Sequence, residues 1–175
     1  LVWIGAFVSS VVFLNETTGS SVDGVTVDNV FSADYDCYKV VVHYDGSTND
    51  TANCRFIKAS DGSLVADTDY NHATKFMYNH TTHVDSQLTN QPEISAAFAG
   101  VATEGGGVAY IHNPFDADFT YLHSQSVGDA GSSAPSLAHW TTGVLKQNVS
   151  MRGFKVLSGS GTFGNIKIRT YGISK

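Results

Sequence analysis

Strict alternation of apolar and polar residues constrains this chain more than any other feature. In DCYKVVVHY, Tyr38, Val40, Val42 and Tyr44 fall on one side of an extended backbone, and Cys37, Lys39, Val41 and His43 on the other. Side chains on a strand alternate with a period of two, so a run of this kind with β-branched and aromatic residues reads as a half-buried strand. The same pattern recurs in NCRFIKA, where Cys54 and Phe56 alternate with Arg55 and Ile57, and in FGNIKIRTYGI, where Ile166 and Ile168 oppose Lys167, Arg169 and Tyr171. Further strands are expected around Phe76 to Tyr78, from Val108 to His112 up to the stop at Pro114, and from Phe119 to Ser126. EISAAFAGV fits either a short helix or a strand, and Val127 to Ser136 reads as a loop.

Two hairpins are expected. One folds about Tyr44 to Asp50 and sets Cys54 opposite Val41; the other joins VSMRGFKVLS to FGNIKIRTYGI through GSGT. Eight or more strands with frequent turn signals and no helical periodicity make the chain all-β, a β-sandwich or barrel. Its 175 residues show no linker or internal repeat, so a single β-sandwich domain over 1-175 is expected. Charged residues are only 15% of the chain, and Gly reaches 17, which suits a turn-rich β-domain rather than a helical bundle.

The net charge of −6, with no basic run, excludes a nucleic-acid footprint and disfavours an anionic membrane surface. LVWIGAFVSSVVFL is too short to span a bilayer and lacks the basic start of a signal peptide. It reads as strands Trp3 to Val8 and Val11 to Asn15, with Trp3 and Phe7 on one side and Ile4 on the other. Apolar residues on both sides call for a second covering surface, so Leu1, Trp3, Ile4 and Phe7 are the expected contact of a homo-oligomer. A chain beginning with Leu1 is expected to be part of something longer or processed.

Three segments together resemble virion structural proteins of tailed phages, common in marine ones. They are VFSADYDCYKVVVHYDG at Val30 to Gly46, AYIHNPF at Ala109 to Phe115, and FKVLSGSGTFGNIKIRTYGI at Phe154 to Ile173. The resemblance covers most of the chain and implies a jelly-roll in a tail-fibre or capsid-decoration setting, at the virion surface. It implies a homotrimer among other virion proteins, no enzyme activity and no cofactor. The alternative class is a secreted or cell-surface carbohydrate-binding β-sandwich. That class requires an exposed aromatic row with amide or carboxylate groups beside it. The two overlap, because a virion module can itself bind a host surface glycan.

The remaining residues give no catalytic pattern. His72, His80 and His83 lie close in sequence, but H-x-x-H on a strand sends its side chains to opposite faces, so no metal site is expected. The pairs Asp67/Asp69 and Asp116/Asp118 could hold Ca²⁺ or act as a glycosidase pair, yet each sits by a turn, where Asp bonds backbone. GGG at Gly105 to Gly107 leads into a strand rather than a helix, which excludes a phosphate cradle and reads as a flexible turn. Cys37 and Cys54 are read as free core residues. N-x-S/T sequons at Asn15, Asn49, Asn79 and Asn148 matter only in a glycosylating pathway. Trp140, beside a polar loop, is the expected ligand contact, since flat rings suit sugar faces.

Overall fold

The computed structural model describes residues 10–46, 51–78, 83–99, 104–129 and 136–174. Among them every regular element is a strand. In chain order these are β1 (Val11–Val22), β2 (Gly24–Val27), β3 (Tyr35–Gly46), β4 (Ala52–Lys58), β5 (Tyr70–Tyr78) and β6 (Val84–Gln91). They continue with β7 (Ile94–Ala99), β8 (Glu104–His112), β9 (Thr120–Asp129), β10 (Ser136–Leu145), β11 (Met151–Ser158) and β12 (Phe163–Ser174). All pairings are antiparallel. A large sheet runs β1-β12-β3-β8-β9-β10-β5-β6 and a small sheet β2-β11-β4-β7.

This order is a jelly-roll with two insertions. The quartets β1-β12-β3-β8 and β2-β11-β4-β7 face each other, and the chain crosses between the sheets at every connection except β5 to β6, β8 to β9 and β9 to β10. The hairpins β5–β6 and β9–β10 are additional. They join edge to edge through β10 and β5, and extend the large sheet beyond β8.

The two expected hairpins are therefore corrected. β3 pairs with β12 and β8, whereas β4 pairs with β11 and β7, so β3 and β4 lie in different sheets and Cys54 does not oppose Val41. The GSGT segment likewise carries the chain from β11 in the small sheet to β12 in the large one. The first strand is longer than expected, from Val11 to Val22, and EISAAFAGV contains β7, a strand. The triple glycine is part of β8 rather than a turn, and the expected loop is cut back at both ends by β9 and β10. Trp3 to Val8 lies outside the described residues.

The core sits between the sheets. Tyr38, Val40, Val42 and Tyr44 of β3 are all buried, with Ile166 and Ile168 of β12 beside them and Phe56, Phe154 and Val156 of the small sheet opposite. The Phe31 ring packs against Tyr38 at 4.7 Å and Phe154 at 5.9 Å. Tyr38 closes its own corner: its hydroxyl accepts from Ser32 N at 2.7 Å and donates to Ser32 O at 2.9 Å. Tyr70 does the same at β5, accepting from Phe56 N at 2.9 Å and donating to Val65 O at 3.2 Å. A buried phenol needs such partners, because an unpaired polar group costs roughly 1–3 kcal/mol.

Beneath the inserted hairpins, among the described strands, the main cover is β7, which lies against β9, β10, β5 and β8. Its approach depends on glycine. A Cβ on Gly107 would collide with Phe98 O and with Ser126 Cβ, and one on Gly143 would meet Ile94 Cδ1 at 2.7 Å. β7 also bulges, with Ala96 in the left-handed region at φ 51. Asn53 Oδ1 accepts from Ala96 N at 3.0 Å, and Thr141 Oγ1 donates to Ala96 O at 2.9 Å, so the bulge is held from both sheets.

Candidate functional site

The inward face of the large sheet is covered; among the described residues, none packs over the outward face. Cross-strand register lays the outward residues in rows. One row reads Arg169, Val41, Val108, Gln125, Trp140, Lys75 and Asp85 across successive strands. The next reads Phe13, Tyr171, Lys39, Tyr110, His123, Thr142, Ala73 and Gln87. A third carries Cys37, His112, Tyr121, Val144 and Asn71. Rings crowd this face. Phe13 is 56%, Tyr121 46% and Trp140 44% exposed, unusual values for large rings in a sandwich.

Several of these rings hold one another in place. Tyr110 stacks on His123 at 5.1 Å, and His123 on His112 at 5.2 Å. Nε2 of His112 and Nδ1 of His123 are 3.3 Å apart, a hydrogen bond whose donor depends on the tautomers. Burial, and then the neighbouring His123, push the His112 pKa down, so this ring favours its neutral, stacking form. Phe13 meets Tyr171 edge-on at 5.6 Å.

Hollows lie between the rings. One of ≈ 390 Å³ is floored by Ala73 and Thr142 and rimmed by Tyr121, Asn71, Gln87 and Thr89. A second of ≈ 560 Å³ lies beside Trp140, over Gly106, Val108 and Gln125. A third of ≈ 400 Å³ is bounded by Lys39, Tyr110 and His123 and shares Val108 and Gln125 with the second. Flat rings, small floor residues and amide groups that both donate and accept are what a polyhydroxylated ring requires. Tyr121, His123, Gln125, Trp140, Ala73 and Gln87 all belong to the inserted hairpins.

Trp140 thus lies on strand β10, not beside a loop, and its ring is exposed on the outward face. Leu1, Trp3, Ile4 and Phe7 lie outside the described residues, as does His80. His72 is buried on the inward face, while His83 is exposed just ahead of β6. Among the described residues no group of three His, Cys, Asp or Glu is placed to hold a metal. The carboxylate pairs serve the backbone and side chains around them: Gln147 Nε2 donates to Asp69 at 2.6 Å and to Asp67 at 3.4 Å, and Phe119 N donates to Asp118 at 2.7 Å. Cys37 and Cys54 are both free thiols. Cys54 is fully buried in the core, whereas Cys37 is half-buried on the outward face next to His112.

Sequence reasoning missed Tyr121, His123 and Gln125. The signal was present in TYLHSQS, where these three alternate with Leu122, Ser124 and Ser126. Nothing local says that the side carrying them is left uncovered.

No protein-family model matches this chain, and no curated protein matches it. Among solved structures it is similar to one described as "Catalytic domain of PdAgaC", at 8% sequence identity over 93% of this chain and 77% of that one, with a TM-score of 0.24. A likeness at that score carries no argument about fold or activity.

Proposed function

We propose that this chain is a non-enzymatic recognition module that lays a glycan strand on the outward face of its large sheet. The observation that carries the reading is the pair of exposed rings, Trp140 and Tyr121, standing over hollows lined by Gln125, Gln87 and Asn71. An aromatic platform with neighbouring amides is the feature that separates a carbohydrate-binding sandwich from a purely structural one. The polar groups between the rings are histidines bonded to each other, amides and a threonine, a set suited to holding hydroxyls.

The setting we propose is the surface of a tailed-phage particle, as a capsid-decoration or tail-fibre module that attaches to host glycans and works as a homotrimer. This part rests on the sequence resemblance. A secreted or cell-surface carbohydrate-binding module would use the same face.

The test is binding of the whole chain to an array of polysaccharides, with Trp140→Ala and Tyr121→Ala alongside. Retention of a glycan by the parent, weakened in both variants while folding is kept, is the expected result. Glycan binding that ignores both substitutions would place the site elsewhere and overturn the reading.

A further inference from the structure

We infer that the strand held on this face is an acidic polysaccharide, bearing carboxylate or sulfate groups, and that Lys39 selects for it. This rests on the glycan reading above and adds the charge of the ligand.

Lys39 stands in the middle of the face. It is half-buried between Tyr171 of β12 and Tyr110 of β8, directly across from it on either side. Its same-face neighbours along β3 are Cys37 and Val41. The diagonal neighbours are Ile173, Arg169, His112 and Val108. None of these is acidic, and among the described residues Lys39 has no ion-pair partner. Two other cations of the face are matched. Arg169 Nε lies 2.6 Å from Glu16 Oε2, and Lys75 Nζ lies 3.7 Å from Asp85 Oδ1. A lysine left half-buried without an anion, in a chain of net charge −6, is a position where an incoming anion replaces lost hydration.

Apart from Glu16 and Asp85, which face Arg169 and Lys75, the acids of this face are gathered at one end. Asp45, Glu104 and Asp129 stand directly opposite one another across β3, β8 and β9. That row is six residues along β3 from Lys39, roughly 20 Å at the rise of a strand. A row of like charges repels an anionic chain and directs it toward the middle of the face. Lys167, exposed on β12 beside His43, is a second cation on the way.

The hollows make one path. The hollow at Lys39 shares Val108 and Gln125 with the hollow at Trp140. From Trp140 on β10 to Lys39 on β3 is three strand spacings and one row, roughly 16 Å. A few sugar residues span that length, so a glycan stacked on Trp140 reaches Lys39 with an acidic substituent.

The experiment is affinity electrophoresis of the whole chain in two matched pairs of polymers: polygalacturonate against its methyl ester, and dextran sulfate against dextran. The parent should bind the acidic member of at least one pair about tenfold tighter than its uncharged partner, the size of one charge-assisted contact. Which pair responds separates carboxylate from sulfate. In Lys39→Gln the ratio should fall to about one, while Lys39→Arg should keep it. Circular dichroism confirms that each variant is folded. Equal binding to both members, weakened by Trp140→Ala, would overturn the acidic preference and leave the glycan reading standing. An acidic preference unchanged in Lys39→Gln would overturn the role of Lys39. Retention by none of the four polymers would overturn both readings.

Discussion

Ser126 Oγ on β9 and His139 Nδ1 on β10 are 2.8 Å apart, directly across from one another, and the other ring nitrogen, His139 Nε2, is buried with no partner among the described residues. The pair is one rung of a polar stripe on the inward face of the inserted hairpins. Thr74 and Thr141 bond at 3.0 Å in the same stripe, and His72 Nδ1 and Ser124 Oγ are buried with no partner among the described residues. Among the described strands β7 lies against this stripe, with the Phe76 ring standing edge-on to His139 at 5.0 Å.

Acid should therefore weaken the fold through His139. Burial lowers its pKa from 6.5 to about 4, and burial lowers that of His72 as well. Between those values the unfolded chain binds more protons than the native one, so stability is complete above pH 6.5 and is lost as pH falls toward about 4. At 1.36 kcal/mol per unit the loss from His139 is up to about 3 kcal/mol. Urea midpoints measured at pH 7 and pH 5 should drop for the parent. They should drop less in His139→Asn, whose amide falls where Nδ1 stands and bonds Ser126 without titrating. Equal drops in the two proteins would refute the assignment.

Gly107 should tolerate no side chain. Its added Cβ would meet the backbone of β7 at Phe98 and the backbone of Gln125, neither of which is a flexible end that can swing away. Gly107→Ala is expected to cost about 1–3 kcal/mol, as overpacking does, and to lower the denaturant midpoint without changing the far-ultraviolet spectrum. A variant as stable as the parent would show that β7 can shift.

The two thiols should differ in reactivity. Burial raises the pKa of both, and that of Cys54, with no exposed surface, far more than that of Cys37. A thiol reagent at pH 8 should titrate Cys37 slowly and Cys54 only after unfolding, because the thiolate is the reactive form. Rapid modification of both in native buffer would contradict this placement.

Trp140→Ala and Tyr121→Ala should leave the fold intact. Both rings project from the uncovered face, and exposed substitutions usually change stability by within about 0.5 kcal/mol. Thermal melts close to that of the parent, alongside weakened glycan binding, are the expected combination. A large loss of stability would mean that these rings serve packing.

For β3 and β12 the strand and the side each residue takes were legible in the sequence. Tyr38, Val40, Val42 and Tyr44 alternate in the text of the chain and lie together in the core; Ile166 and Ile168 do the same on β12. Alternation is local: it follows from the geometry of one extended backbone and needs no knowledge of neighbours. β10 is not legible because LAHWTTGVL sets His139 and Thr141 inward, and two polar residues on the buried side erase the alternating signal. β6 is not legible because VDSQLTNQ, at the edge of the large sheet, is mostly exposed on both sides and has little alternation to show.

Pairing was decided by the tertiary structure. A Gly/Ser segment between two strands looks the same whether it turns back beside its own strand or steps to the other sheet. At GSGT and between β3 and β4 the chain steps across, because β12 completes its hydrogen bonds with β1 and β3, and β4 with β11 and β7, all distant in sequence. The candidate site follows the same division. Alternation alone puts Tyr121, His123 and Gln125 on one side of a strand, and Lys39 on the side opposite the core. That their sides coincide on one uncovered sheet, with Trp140 among them, depends on where two inserted hairpins dock, and docking is set by contacts that no local stretch of sequence contains.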